Sequence, residues 1–541
     1  MDFRFFLSEQ SPEVTLEKMH AYLGRSTIPP FWSMGFHQCR WGYKNITLLQ
    51  NVLNAYKTNK LPLDTIWSDI DYMVDYEDFT IDESRFPLDK MKEITNNYHY
   101  IPIIDAGIKV NNGTAYNEGK QRGVFVKDAN GQELRGKVWP GTTTFVDFFN
   151  PNANKYWQDM LNILYTKVQF SGVWLDMNEY ANFCDGPCDS PTGDSAFDYS
   201  KDLPYVPGSD SIESHTIPLN STHYKNQSEA DVHAFGAFLE TYATNLFLKS
   251  KNKRPFIISR SSTMGANKFG FHWTGDNYAN FDFLKGSISD NFNNQMWGYQ
   301  IVGPDICGFG GNTTEELCAR WYQLGALYPF ARSHNDINAI DQEPYALGDK
   351  VLKAAQNGLN LRYSLLKHYY SQIVARRGLG FIFKPLFFDF PLDNNNYIDD
   401  VVDTQFLIGN ELMAAPILEE GKTSRNVYFS TRNWFNFYDG TMYKPGTARI
   451  ENVQMTDPVP LFIREGEMVL TQNTDSVSSS KDLDNVFHMV MGCYFENTLS
   501  NSTHKIYVAG GNQLSIRDYN DETKLEFCIL EGCQYTFGLR L

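Results

Sequence analysis

Gly172 to Glu179 reads GVWLDMNE, a short apolar run that stops abruptly at an Asp, an Asn and a Glu. A run of that length bounded by charge predicts a strand buried on both faces whose end opens on a polar site. Leu63 to Trp67 and Ile101 to Ile104 have the same form, and the three runs lead into Asp69, Asp105 and Asp176. Pro255 to Ser259 (PFIIS) stops at Arg260, and Phe271 to Thr274 runs into Asp276.

Amphipathic segments lie between these strands. Asn150 followed by Pro151 predicts a helix start, with Trp157, Met160, Leu161, Leu164 and Val168 at helical spacing behind it. Val232, Phe235, Leu239, Tyr242 and Leu246 predict an apolar stripe on a second helix. Repeated strand-then-helix units with polar strand ends predict a closed (β/α)8 barrel, with an open doubly wound sheet as the alternative. Gly107 to Asp147, with a turn at Asn130-Gly131, and Met177 to Ser228, rich in Asp, Ser, Pro and Gly, interrupt the rhythm as insertions over the active face.

After about Pro385 the helical period gives way to strands at Phe406 to Ile417, Asn426 to Tyr438 and Val459 to Leu470, which predict a β-sandwich. The polar run Thr471 to Asp484 (TQNTDSVSSSKDLD) predicts a linker. The expected division is a lead-in over 1–30, the α/β barrel over 31–386, a proximal C-terminal β-sandwich over 387–474 and a distal β domain over 475–541.

The 541 residues carry 47 Lys and Arg against 64 Asp and Glu, a net charge of −17, and 42% are hydrophobic. That composition describes a folded chain and excludes disorder, while its charge disfavours nucleic acid and anionic lipid surfaces as partners. No run approaches the roughly 18 apolar residues of a membrane span, and Met1 to Leu7 does not read as a signal peptide. Of eight Cys, three local pairings are available: Cys184 with Cys188, Cys307 with Cys318, and Cys528 with Cys533, which leaves Cys39 and Cys493. Sequons at Asn45, Asn112, Asn220, Asn226, Asn312 and Asn501 favour a secretory route, lysosomal or extracellular, with the leader missing.

Asp176 and Asp276 stand at separate strand ends, as acid/base or nucleophile/acid hydrolysis requires, although an isolated Asp there more often caps a helix. Their neighbours weaken the capping explanation: Arg260, His334 within PFARSHN, and Asp69 and Asp71 within WSDIDYM also sit at strand ends. Such a ring suits sugar hydroxyls, which donate and accept hydrogen bonds at once. Trp41, Trp139, Trp174, Trp273 and Phe309 lie beside the ring, where an aromatic face can cover a pyranose. Asp69 with Asp71, or Asp176 with Asn178 and Glu179, is also a candidate for calcium or magnesium. No complete EF-hand loop, Walker A, HExxH or G-x-S-x-G motif accompanies them, so no metal or cofactor is expected.

Taken with GFHQCRWGY (35–43), GKVWPG (136–141), ISRS (258–261), HWTGD (272–276) and DICGF (305–309), the chain resembles glycoside hydrolase family 31, in particular its maltases and acid α-glucosidases. The similarity runs from about residue 3 to about residue 470. The resemblance implies an exo-acting, retaining α-glucosidase with Asp176 as nucleophile and Asp276 as general acid/base, acting on maltose-like or glycogen-like chains. It implies that Asp69, Asp105, Arg260 and His334 bind glucose hydroxyls, and that Trp41, Ile103, Trp139, Trp174, Met177, Trp273 and Phe309 line the pocket. It implies disulfides Cys184–Cys188 and Cys307–Cys318. It also implies a β-sandwich ahead of the barrel, of which a last strand near Asp2 to Ser8 is expected here, so that the chain reads as truncated. The alternatives are a transglucosylase using the same intermediate and a catalytically impaired carbohydrate-binding fragment.

Overall fold

The computed structural model describes residues 3–186, 188 and 212–492, with the backbone of short strands at 507–508, 525–529 and 533–537. Eight parallel strands form one curled sheet: β1 Phe36–Gln38, β2 Thr65–Ser68, β3 His99–Asp105, β4 Val173–Asp176, β5 Ile257–Ser259, β6 Phe271–His272, β7 Asp305–Ile306 and β8 Ala331–Ser333. Chain neighbours pair except β6 with β7, and β8 pairs with β1. Between β6 and β7 the ladder gives way to a seam where Thr274 N donates to Gly303 O at 3.3 Å. This is a TIM-type barrel, as the strand-then-helix rhythm predicts.

Helices Ile46–Thr58, Leu88–Asn97, Ala153–Lys167, Gly236–Ser250, Phe281–Met296, Glu315–Gly325 and Asp349–Ala375 cover the sheet. Two helix expectations need correction. The third begins at Ala153, because Asn150 uses its side chain on Asn152 N (3.0 Å) in a turn rather than as a cap. The stripe over 232–246 is broken by a 3-10 turn, His233–Phe235, and does not form one buried face: Val232 is buried, and Leu239, Tyr242 and Leu246 are half-buried. Phe235 is 49% exposed while Glu240 is fully buried, with Thr244 and Asn245 also inside. Those polar residues bond named partners: Glu240 accepts from Asn178 (2.8 Å), Thr244 accepts from Trp157 Nε1 (2.9 Å), and Asn245 donates to Phe269 O (2.8 Å), while Glu240 Oε1 and Asn245 Oδ1 have none. Hydrogen bonds lower the cost of burying these groups beside Ala243, Phe247 and Leu248, so the apolar pattern alone does not set this helix's orientation.

Between β5 and β6 the connection is only a 3-10 turn, Ala266–Lys268. The lead-in covers it: Thr27 N donates to Asn267 O at 2.9 Å, and Asn267 Nδ2 donates to Gly24 O at 3.1 Å. Residues 3–8 form no strand, contrary to expectation, and Phe3, Phe5 and Leu7 are 70%, 84% and 77% exposed. A helix, Pro12–Leu23, follows, and its Glu13 bonds both Arg376 and Lys384 (2.9 Å).

Beyond the barrel, a six-stranded antiparallel sheet runs in the order Phe383–Lys384, Phe406–Ile408, Leu412–Ala414, Leu461–Arg464, Trp434–Asn436, Met442–Tyr443. A two-stranded sheet, Arg425–Phe429 with Gly446–Ile450, packs on it around Leu407, Met413, Val427, Phe429, Trp434 and Phe462. Each run expected as one long strand is a pair of strands, split at Gly409 to Glu411, Ser430 to Asn433, and Glu465 to Glu467. The run expected as a linker, Thr471 to Asp484, is docked instead. Ser480 N and Oγ donate to the buried Asp64 carboxylate just ahead of β2, Tyr363 Oη adds a bond of 2.6 Å, and Leu63 N reaches Ser478 O at 2.9 Å.

Candidate active site

Side chains alternate across a strand, so residues two apart share a face. Trp67 and Trp174 point into the barrel, where their rings meet at 5.7 Å, and this places Asp69 and Asp176 on the inner face above them. Ile103 lies opposite Trp174 and Asp105 opposite Asp176 in the register of β3 and β4. Trp273 meets Trp174 edge-on at 5.6 Å, and His334, just past β8, meets it at 5.3 Å. Phe309 packs on His334 at 5.0 Å. Trp41 and Trp139 meet at 5.1 Å, and Trp139 continues to Phe183 at 4.8 Å. Met177, whose φ of +53° places it in the left-handed region, touches Arg260 through sulfur at 3.1 Å. The residues singled out in the sequence therefore gather at the C-terminal mouth of the barrel.

Arg260 links the carboxylates. Its Nη1 is 3.0 Å from Asp176 Oδ1, and its Nε and Nη2 hold Glu179 at 2.7 and 2.9 Å. Burial raises the Asp176 carboxyl to about 6, a push that Arg260 opposes and Asp276 reinforces. Burial prevails over Arg260 here. Glu179 shows the opposite balance: burial pushes it up, but the Arg260 charge and hydrogen bonds bring it below the ordinary carboxylate range. Asp276 opens onto a cavity of about 430 Å³ lined by Tyr278, Phe309, Gly310, Asn312 and Asp336, while the protein crowding its other sides raises its carboxyl by burial. It caps no helix; the next one, Phe281–Met296, is capped by Asn280.

Asp69 spends one oxygen on Ile70 N (2.7 Å) and brings the other to 3.5 Å from His334 Nε2. Burial raises Asp69 well above its ordinary value; burial, with Arg332 nearby, holds His334 neutral. Both carboxylate oxygens of buried Asp105, His334 Nδ1, and the indole nitrogens of Trp41, Trp174 and Trp273 have no hydrogen-bond partner. Unpaired buried donors and acceptors converging on one mouth are what a polyhydroxylated ligand satisfies.

Asp71 does not join this ring: its carboxylate accepts from Gly42 N at 2.7 Å and fixes the loop carrying Trp41. The donor pairs expected for a cation are thus divided, Asp71 serving Gly42 and Glu179 serving Arg260. Among the described residues, the donors that lie within 4.8 Å of one another are Cys39, Asp69 and His334, a set suited to a zinc-like ion.

Sequence reasoning missed the floor of the site. Arg332 holds Asp305 at 2.6 and 3.0 Å, and its guanidinium lies 4.8, 4.7 and 5.3 Å from the rings of Trp67, Trp174 and Trp273. Both residues sit in motifs already quoted, DICGF and PFARSHN, but are 27 residues apart and carry no local sign of pairing. Asp78, whose Oδ1 accepts from Asp105 N at 2.8 Å, was missed as well, as was the bond from Asn178 to Glu240. Cys184–Cys188 and Cys307–Cys318 are paired, Cys39 is free and buried, and Cys493 and the side chains of Cys528 and Cys533 lie outside the described residues. Gly308 beside the second bridge has φ +92°, and a Cβ there would meet the Ala279 backbone at 2.5 Å, so the turn requires glycine.

The sequence profile described as the Glycosyl hydrolases family 31 TIM-barrel domain matches residues 26–372, and that of the Glycosyl hydrolase family 31 C-terminal domain matches 380–469. The chain is 39% identical to the lysosomal acid alpha-glucosidase of Tetrahymena pyriformis over 98% of its own length and 62% of that protein's. It is 37% identical to the lysosomal alpha-glucosidase of Rattus norvegicus over 81% of its length and 46% of that protein's. A crystal structure of a glucosidase II alpha subunit superimposes with a TM-score of 0.78 at 29% identity, covering 87% of this chain and 49% of that one. The chain therefore spans between about half and two thirds of these relatives.

Proposed function

Because the chain belongs to glycoside hydrolase family 31, we propose that it is a retaining, exo-acting α-glucosidase that releases terminal non-reducing glucose from maltose-like or glycogen-like chains. The observation that carries the reading is the carboxyl pair Asp176 and Asp276 on separate strand ends, coupled through charge and flanked by unpaired polar groups of Asp105, His334 and the tryptophans. Retaining glycosidases hold two carboxyl groups about 5 to 5.5 Å apart, one as nucleophile and one as acid and then base.

Asp176, as the carboxylate held by Arg260, attacks the anomeric carbon and forms a glucosyl ester. Asp276, raised by burial and open to the cavity where a leaving sugar would sit, first gives its proton to the glycosidic oxygen. The same group then removes a proton from the water that hydrolyses the ester; a sugar hydroxyl in place of water gives transglucosylation. Asp69, Asp105 and His334 receive the glucose hydroxyls, and Trp174, Trp273 and Phe309 cover its carbon face. A protein that only bound sugar would have no use for the coupled carboxyl pair. The lysosomal relatives and the sequons favour a secretory or lysosomal setting, and no described helix is long and apolar enough to cross a membrane.

The test is release of p-nitrophenol from p-nitrophenyl α-glucoside by the purified chain, with Asp176→Asn and Asp276→Asn beside it. Activity lost in Asp176→Asn supports the reading; no release by the unaltered protein, or full activity in that variant, overturns it.

A further inference from the structure

The cavity onto which Asp276 opens has an aromatic wall that glucose binding does not use. Tyr278, two residues past Asp276, lines that cavity and is 60% exposed, so much of its ring is bare. Its backing is Gly310, which also lines the cavity. Tyr278 pairs with Gly310 in a parallel bridge, Ala279 N donates to Gly310 O at 2.9 Å, and a Cβ on Gly310 would stand 3.0 and 3.1 Å from Tyr278 Cδ1 and Cε1. Phe283, in the first turn of the helix Phe281–Met296, braces the ring at 5.7 Å with a tilt of 53°. Asn277 ties the segment to the barrel: its carbonyl accepts from Phe309 N (2.7 Å) and Gly310 N (2.9 Å), and its Nδ2 donates to Asp305 O (3.0 Å).

A single exposed aromatic side chain is ordinary on a protein surface. Tyr278 differs in sharing a cavity with the proposed proton donor and in being held in place by Gly310 and Phe283, so a ligand that covers it need not order it first. Asp336 and Asn338 line the same cavity, and Asp336 N donates to Phe309 O at 3.1 Å, which fixes their loop beside it. An aromatic plane with a carboxylate and an amide next to it suits a pyranose, which has an apolar C–H face and a rim of hydroxyls. At about 430 Å³ the cavity falls within the range of small-ligand pockets, about 300 to 1,000 Å³. We propose that Tyr278 is a specificity-determining residue for the glucosidase reaction, its ring being the platform for the sugar on the leaving-group side of the scissile bond. It thereby favours α-glucan chains over glucosides that lack a second ring. The inference rests on the reading of Asp276 as general acid, since the leaving oxygen must lie at that carboxyl for its sugar to reach Tyr278.

The experiment measures kcat/KM for maltose and for methyl α-glucoside in the unaltered protein, Tyr278→Ala and Tyr278→Phe. Both leaving groups need the proton of Asp276, and only maltose carries a second ring, so the ratio of the two values isolates contact with that ring from any disturbance of the acid. The ratio is also independent of the fraction of each preparation that is folded. The expected result is a fall of about 10-fold in the maltose to methyl α-glucoside ratio for Tyr278→Ala, the low end for a single contact in a specificity pocket, because the platform is open on one side. Tyr278→Phe keeps the ring and should hold the ratio within about threefold of the unaltered protein. A ratio that moves by less than about threefold in Tyr278→Ala overturns the proposal, including the case in which both substrates lose activity together, which would make Tyr278 a support for Asp276. A fall in Tyr278→Phe as deep as that in Tyr278→Ala also overturns it, since the hydroxyl and not the ring would then be the contact. Absence of activity on either substrate in the unaltered protein overturns the functional reading and this inference with it, whereas an active protein whose ratio ignores Tyr278 overturns this inference only.

Discussion

Replacing Arg260 by lysine separates charge from geometry at the centre of the site. Arg260 makes two bonds to Glu179, of 2.7 and 2.9 Å, and stands 3.0 Å from Asp176. An ammonium keeps the charge but cannot present that fork, so at least two charge-assisted bonds are lost. At about 1.5 kcal/mol each, the low end for such bonds, the loss is about 3 kcal/mol. That corresponds to a fall of roughly 150-fold in kcat/KM if the bonds matter in the transition state. A second effect follows in pH. Arg260 is the main group opposing the burial that raises Asp176 to about 6, so weakening it moves that carboxyl further up. The nucleophile must be ionised, so the acid limb of kcat/KM moves to higher pH. The assay is kcat/KM for p-nitrophenyl α-glucoside between pH 4 and 8. A loss under about fivefold, or a limb that moves to lower pH, refutes the reasoning, because a gap of about 1 kcal/mol is too small for two such bonds.

Asp276→Asn should lower kcat/KM for maltose by at least about 100-fold while sparing kcat/KM for α-glucosyl fluoride, whose leaving group needs no proton in the ester-forming step; equal losses of kcat/KM on both would remove Asp276 from the acid role. Asp305→Asn leaves Arg332 buried beneath three tryptophan rings without its charge partner, and should cost about 3 to 5 kcal/mol in the urea unfolding midpoint analysis; a cost under about 1 kcal/mol would show that the pair is not needed. The protein should unfold at a higher temperature at pH 5 than at pH 7.5. Asp64 and Asp176 at about 6 and Asp305 at about 7 bind protons in the folded state that the unfolded chain, near 3.8, has released, so stability falls as pH rises through the window from 4 to 7. His223, raised to about 9 by Asp147 and Glu229 against the pull of burial, contributes in the same sense, being lost as pH rises through its folded value. A transition temperature that rises from pH 5 to pH 7.5 contradicts this assignment.

The barrel was legible because its strands are short apolar runs punctuated by charge, and a strand buried on both faces can hardly be written otherwise. The same signal placed Asp69, Asp105, Asp176 and Asp276, since each stands where such a run stops. What periodicity could not show was a helix whose inner face mixes polar and apolar residues: Glu240, Thr244 and Asn245 are buried to bond Asn178, Trp157 and Phe269 beside Ala243, Phe247 and Leu248, while Phe235 of the visible stripe is exposed. The split strands of the sandwich escaped for a related reason, because turns such as Gly409 to Glu411 and Glu465 to Glu467 are too brief to break an apolar pattern. Long-range pairs are the least legible. Arg332 with Asp305, Glu179 with Arg260, and His223 with Asp147 are separated by 27, 81 and 76 residues, and nothing in either partner's neighbourhood names the other. The docking of Ser480 on Asp64, 416 residues away, turned an apparent linker into a fixed strap for that reason.

The central claim is that Asp176 forms a covalent glucosyl ester, and the anomeric form of the first sugar released tests it most directly. Proton NMR of p-nitrophenyl α-glucoside hydrolysis, read before mutarotation, should show α-glucose as the first product and none in Asp176→Asn. First appearance of β-glucose would mean direct attack by water and would contradict the account.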